Sequence, residues 1–206
     1  MIAVWLVAAA FLGWFAFGSI TNVRKGKRVL AWMQDGLPQL GERTTLRWLG
    51  TSAVEMAIAD ATKPFRQATL VIFLEPRDVP WIWLPSRARG RRDTLIVRAQ
   101  LRDVPESEFE AIDAGSWSGR DMRSRLEREQ WPAIDREGLR VFHPTDAGVS
   151  LAGALLARAR QAGMRVRRLS LRKSEPHFQL HVDLPTVSAA EFFTALRQIG
   201  ESAVRT

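Results

Sequence analysis

The sequence predicts an α+β fold, with one N-terminal transmembrane helix followed by a cytoplasmic domain of mainly antiparallel strands. Three observations carry that prediction. The nineteen residues from Ile2 to Ile20 contain no charge. Short apolar runs separated by turn residues recur from Thr44 to Leu101 and again from Val166 to Leu184. Apolar stripes at helical spacing follow Thr145 and Ser188.

The first segment reads IAVWLVAAAFLGWFAFGSI. As a helix it reaches roughly 28 Å, against a hydrocarbon core of ~30 Å. A cleavable signal peptide carries its positive charge ahead of a shorter apolar region. Here nothing basic precedes Trp5, and the charges Arg24, Lys25, Lys27 and Arg28 come after the apolar run. Positive charge stays cytoplasmic. The expectation is an uncleaved anchor over residues 1–21 in the cell membrane, with the N-terminus outside and the C-terminal domain in the cytoplasm.

Residues 22–37 mix Val23, Leu30, Trp32, Met33 and Leu37 with basic residues. That pattern predicts a basic juxtamembrane helix lying on the headgroups, or alternatively a first helix packed on the domain. Gly36, Pro38 and Gly41 then mark a turn, and residues 38–135 read as a strand-rich region. Thr44–Leu49 and Ala53–Ala59 form a hairpin, with Val54, Met56 and Ile58 on one face. Ala68–Leu74 is a continuous apolar run that suits a strand buried on both faces. Extending it to Leu84 as a second span is excluded, because Glu75, Arg77 and Asp78 would sit near its middle at roughly 2.5–3.5 kcal/mol each.

The segment DVPWIWLPSRARGRRD, Asp78 to Asp93, allows two readings. A short helix with Pro80 at its first position could bury Trp81 and Leu84, or Ile82 and Trp83, in the core and leave Arg87, Arg89, Arg91 and Arg92 in a solvated loop. Alternatively, Trp81 and Trp83 rest at headgroup depth with the arginines on lipid phosphate. Thr94–Leu101 is a further strand and Phe109–Ile112 a weaker one. Gly115–Gly119 (GSWSG) reads as a turn, and Arg120–Gln130 as a polar helix or linker. A boundary near Trp131 to Gly138 separates residues 136–206, a helix-strand-strand-helix region readable as a second subdomain.

In that region Thr145 caps a helix whose buried stripe is Leu151, Leu155, Leu156 and Ala159, ending at Gly163. Val166–Lys173 and Phe178–Leu184 form a hairpin. Ser188 and Glu191 make a capping box for a last helix that buries Phe192, Phe193, Leu196 and Ile199.

Composition narrows function more than it names it. Thirty Lys and Arg against 22 Asp and Glu give +8. Fifteen of the basic and eight of the acidic residues fall between Ile20 and Asp103, so the excess adjoins the anchor. The absence of cysteine excludes disulfides, thiolate zinc sites and cysteine nucleophiles. No phosphate-binding glycine loop, dinucleotide fingerprint or HExxH is present, and GSWSG centres on Trp117 and so lacks the serine of a nucleophile elbow.

Three sets of residues are candidates for function. Arg24, Lys25, Lys27, Arg28, Trp32, Trp81, Trp83, Arg87, Arg89, Arg91 and Arg92 form an expected membrane-interface set. Arg165, Arg167, Arg168, Arg172 and Lys173, on one strand, are candidates for binding an anion. His177, His181 and Asp183 alternate onto one strand face and are weak candidates for a metal, while the neighbouring arginines make the solvated polar face of a half-exposed strand the expected role. His143 stands alone before a helix cap, as a structural histidine does.

The reading that follows is a membrane-anchored protein whose cytoplasmic domain acts as a binding or scaffolding module. Its partners would be membrane lipids and a protein, and no cofactor is called for. The alternative is a membrane-tethered nucleic-acid binder, and an enzyme using the His177, His181 and Asp183 face comes third.

Overall fold

Helix α1 runs as one rod from Ile2 to Gln34 in the computed structural model, which describes residues 1–115 and 117–204. No proline interrupts it. The separate basic helix expected over residues 22–37 is therefore the last part of α1, followed by a short 3-10 turn at Leu37–Gln39. The first part is bare: Ile2, Trp5, Leu12 and Phe17 are all more than half exposed. The last part buries Asn22, Gly26 and Met33.

Gly18, Asn22 and Gly26 recur every four residues and so share one face of the helix. That face meets the domain at backbone distance. A Cβ on Gly18 would lie 2.4 Å from the Arg77 carbonyl oxygen, and one on Gly26 would lie 2.8 Å from the Trp48 ring.

Beyond α1 the described residues form one antiparallel sheet of nine strands: β1 (Thr44–Trp48), β2 (Ala53–Ile58), β3 (Phe65–Phe73), β4 (Thr94–Leu101), β5 (Phe109–Ile112), β6 (Ala133–Arg136), β7 (Leu139–Phe142), β8 (Val166–Leu171) and β9 (Phe178–Asp183). Four further helices are α2 (Pro80–Ala88), α3 (Trp117–Arg128), α4 (Asp146–Gln161) and α5 (Ala189–Val204). Ser116, in the turn expected at Gly115–Gly119, lies outside the described residues; α3 begins at Trp117.

The sheet order is β1-β2-β3-β4-β9-β8-β5-β7-β6. The last hairpin thus inserts beside β4, with Leu95 opposite Val182 and Val97 opposite Leu180. Both sequence regions share this sheet, and the boundary expected at Trp131 to Gly138 is instead the β6–β7 hairpin, with Arg136 paired to Leu139.

One face of the sheet supplies Met56, Leu70, Val97, Leu180, Leu169 and Val141 to the core. Above it lie α4, through Leu151, Leu155, Leu156 and Ala159, and α5, through Phe192, Phe193, Leu196 and Ile199, together with Met33 of α1. The Thr145 hydroxyl accepts from the Gly148 amide to cap α4, and Ser188 and Glu191 bond reciprocally at the start of α5. A smaller cluster of Ile112, Phe142 and Leu126 packs α3 onto the other face.

Candidate membrane-anchoring site

The densest polar cluster lies where α1 meets the loop after β3 and the start of β4. Asn22, fully buried, donates to the Glu75 carbonyl at 3.1 Å and accepts from Arg77 at 3.2 Å. Asp93 accepts two bonds from Arg77, at 3.0 and 2.8 Å, one from the Glu75 amide at 2.7 Å, and one from the Lys25 ammonium. Glu75 in turn accepts from the Trp83 indole at 2.6 Å and from Arg87 at 2.9 Å. Two carboxylates therefore sit among three cations, with their lone pairs directed at donors.

The cluster must satisfy itself, because removing a charge from water costs several kcal/mol. Burial alone would raise the Asp93 carboxyl. The hydrogen bonds from Arg77, Lys25 and the Glu75 backbone outweigh it and hold Asp93 below the usual carboxylate range.

The same loop carries α2 to the apolar part of α1. The Trp14 indole donates to the Arg77 carbonyl at 2.9 Å. Trp81 meets Phe11 edge-on at 5.5 Å between ring centroids, and Trp83 lies 6.1 Å from Trp14. Helix α2 buries no residue, so the core reading of Trp81, Ile82, Trp83 and Leu84 does not hold. Trp83 is half-buried and held by Glu75, whereas Trp81, Ile82 and Leu84 are exposed.

The expected membrane-interface set divides accordingly. Arg24, Lys27, Arg28, Arg89 and Arg92 are exposed, and Arg91 is half-buried. Lys25, half-buried, pairs with Asp93, and Arg87, itself exposed, pairs with the buried Glu75. Trp32 is half-buried against the domain: it packs on Phe192 and Phe193 and donates to the Val187 carbonyl at 2.9 Å.

The arginine strand does not present an open phosphate cradle, because carboxylates meet its guanidiniums. Arg167 bridges Asp183 and Asp113 at 2.8 and 2.7 Å, and Arg165 reaches Asp183 at 3.4 Å. Arg168 pairs with Glu110, which is fully buried, and Arg172 lies 3.5 Å from Glu110 and 3.3 Å from Glu129. Lys173 is exposed, with its amide bonded to Glu108.

The histidine face is a correction too. Expected to be half-exposed, His177, just before β9, and His181, within it, are buried; Arg98 of β4 and Arg168 of β8 flank His181 on that face. Four residues apart on a strand they are separated by roughly 13 Å, and Asp183 is held by Arg167. They do not converge, and no group of three or more His, Asp or Glu side chains does so among the described residues. The His177 Nδ1 accepts from the Leu101 amide at 3.2 Å, and His143 Nδ1 donates to the Thr145 carbonyl at 3.1 Å.

The His181 Nε2 has no hydrogen-bond partner among the described residues. Burial, then the charges of Arg168 and Arg98, push its pKa down to about 3. The folded state therefore holds His181 neutral while the unfolded chain takes up a proton below its ordinary pKa of about 6.5. Stability attributable to His181 is complete above that value and falls as the pH drops toward 3, by about 1.4 kcal/mol per unit. Urea unfolding of the protein and of His181→Leu, measured at pH 7 and pH 4.5, should show the native chain losing about 2 to 3 kcal/mol more than the variant. Equal losses would contradict this.

No family model matches the chain, and no curated protein matches it by sequence.

Proposed function

We propose that this is a single-pass membrane-anchored protein that holds an α+β binding or scaffolding domain against the cytoplasmic face of the membrane. One observation carries the proposal. Helix α1 is apolar and bare over its first part and locked into the domain over its last, with no linker between. A helix hydrophobic all round, with nothing packed against most of it, needs an apolar medium. By length and composition α1 is able to cross a bilayer.

The contacts of the apolar part support an uncleaved anchor over a removed signal. Cleavage near residue 20 would strip Phe11 from Trp81 and Trp14 from Trp83 and Arg77. The exposed cations Arg24, Lys27 and Arg28 follow the apolar run directly, which favours their side as cytoplasmic. They also favour anionic lipid as the surface facing the domain. The arginine strand, bound to its own carboxylates, gives the nucleic-acid reading little support. The separation of His177, His181 and Asp183 does the same for an enzyme on that face.

Because the chain has no cysteine, a single one placed at the exposed Ser174 reports topology cleanly. In intact cells it should resist a membrane-impermeant maleimide and react after permeabilisation, and the protein should stay in the membrane through alkaline extraction. Labelling of intact cells would overturn the cytoplasmic placement, and release by alkali would overturn the anchor.

A further inference from the structure

We infer that α2 is a second membrane element, lying in the same leaflet as the inner half of α1 with Trp81, Ile82 and Leu84 among the lipid acyl chains. The inference rests on α1 spanning the bilayer and adds a lipid-binding surface to it.

The first charged residues met along α1 from the apolar side are those of the loop beside Gly18, where the Arg77 backbone touches the helix. Phe11 and Trp14 lie seven and four residues before Gly18, so they sit roughly 10 and 6 Å deeper at ~1.5 Å per residue. Trp81 is in contact with the first and Trp83 with the second. That places the apolar side of α2 at the depth of an interfacial amphipathic helix, about 5–10 Å into the headgroup and acyl boundary.

Trp81 is 62%, Ile82 47% and Leu84 57% exposed, a cluster of large apolar side chains on a helix of nine residues. It is continuous with the bare surface of α1 through Phe11, itself 51% exposed. Water cannot be the intended solvent of one and lipid of the other when their rings touch.

The backbone at that depth is nearly self-sufficient, as a hydrocarbon environment requires. The Val79 amide bonds the Pro76 carbonyl, Pro80 has no amide proton, and the amides of Ile82 and Trp83 both bond the Val79 carbonyl. The polar side chains of the segment turn away from it: Trp83 and Arg87 bond Glu75, and Asp78 accepts from Thr51 at 3.0 Å. Beyond the helix Arg89 and Arg92 are exposed at its C-terminal end, where cations meet lipid phosphate.

Spin labels on single cysteines test this in the full chain, reconstituted in vesicles of phosphatidylcholine and phosphatidylglycerol. Labels at Ile82 and Leu84 are compared with one at Leu12 of the anchor and one at Leu46 of the edge strand β1. All four positions are at least 45% exposed, so labelling leaves the core intact. Collisions with oxygen and with a water-soluble nickel chelate report depth. Expected is an oxygen-favoured ratio at Ile82, Leu84 and Leu12, at least tenfold above that at Leu46. Nickel access at Ile82 and Leu84 with lipid access at Leu12 would overturn the inference and leave the anchor standing. Nickel access at Leu12 as well would overturn both. Shielding of Ile82 and Leu84 from both reagents would assign the surface to a protein and overturn lipid as its occupant.

Discussion

Replacing Asp93 with asparagine should destabilise the folded protein by about 3 kcal/mol, read as a fall of roughly 10 °C in the unfolding midpoint in mild detergent. The carboxylate holds Arg77 by two hydrogen bonds and also binds Lys25 and the Glu75 amide, while its own side chain is 7% exposed. Removing one partner of a buried ion cluster leaves the others charged and unpaired, and that penalty exceeds the worth of any single bond. Glu75, 3.6 Å from Arg77, limits the loss. The comparison is Asp60→Asn, which breaks the exposed, solvent-screened pair with Arg43 and should shift the midpoint far less. Equal effects at the two sites would show that the cluster does not fasten the helix. Because Asp93 titrates below its ordinary range, its contribution is complete above the unfolded carboxyl pKa and is lost as the pH falls through the lower folded value.

Where the chain is shortened decides whether a domain remains. A chain starting at Thr21 should keep the fold, whereas one starting at Gly36 should lose most of it, although Gly36 and Pro38 make that the inviting place to cut. The second truncation removes Met33, which is fully buried, and takes Lys25 from Asp93 and Asn22 from Arg77. It also uncovers Phe192 and Phe193, against which Trp32 packs. A buried methionine alone is worth about 2 to 5 kcal/mol and the whole fold about 5 to 15, so the sum approaches total stability. Amide hydrogen exchange on both truncations measures the difference, and equal protection in β4 and β9 would contradict it.

The strands and capped helices were legible because their determinants are local. Thr94–Leu101 reads as a strand from its own residues and is one, and Thr145 and the Ser188 and Glu191 pair announce helix starts within four residues. The junction was not legible, since its partners are joined across 53 residues from Asn22 to Glu75 and 68 from Lys25 to Asp93. Periodicity carries no information about such pairings. One signal was available: an asparagine between two glycines at helical spacing, Gly18, Asn22 and Gly26, marks a helix face that something polar must approach closely. The burial of the histidine face was not legible, because alternation along a strand tells which side chains share a face, and not whether that face is wet. For β9 the answer lay in its neighbours β4 and β8.

The absence of any hinge between the apolar and docked parts of α1 has a mechanical consequence. Helices in bilayers tilt to match the local thickness of the hydrocarbon layer. A domain on a flexible tether would be indifferent to that tilt, but here Gly18, Asn22, Lys25 and Met33 clamp the rod to the sheet. On the anchored reading, each degree by which the helix leans swings the nine-stranded sheet by the same degree, so that a thinner or thicker membrane becomes a different attitude of the whole domain.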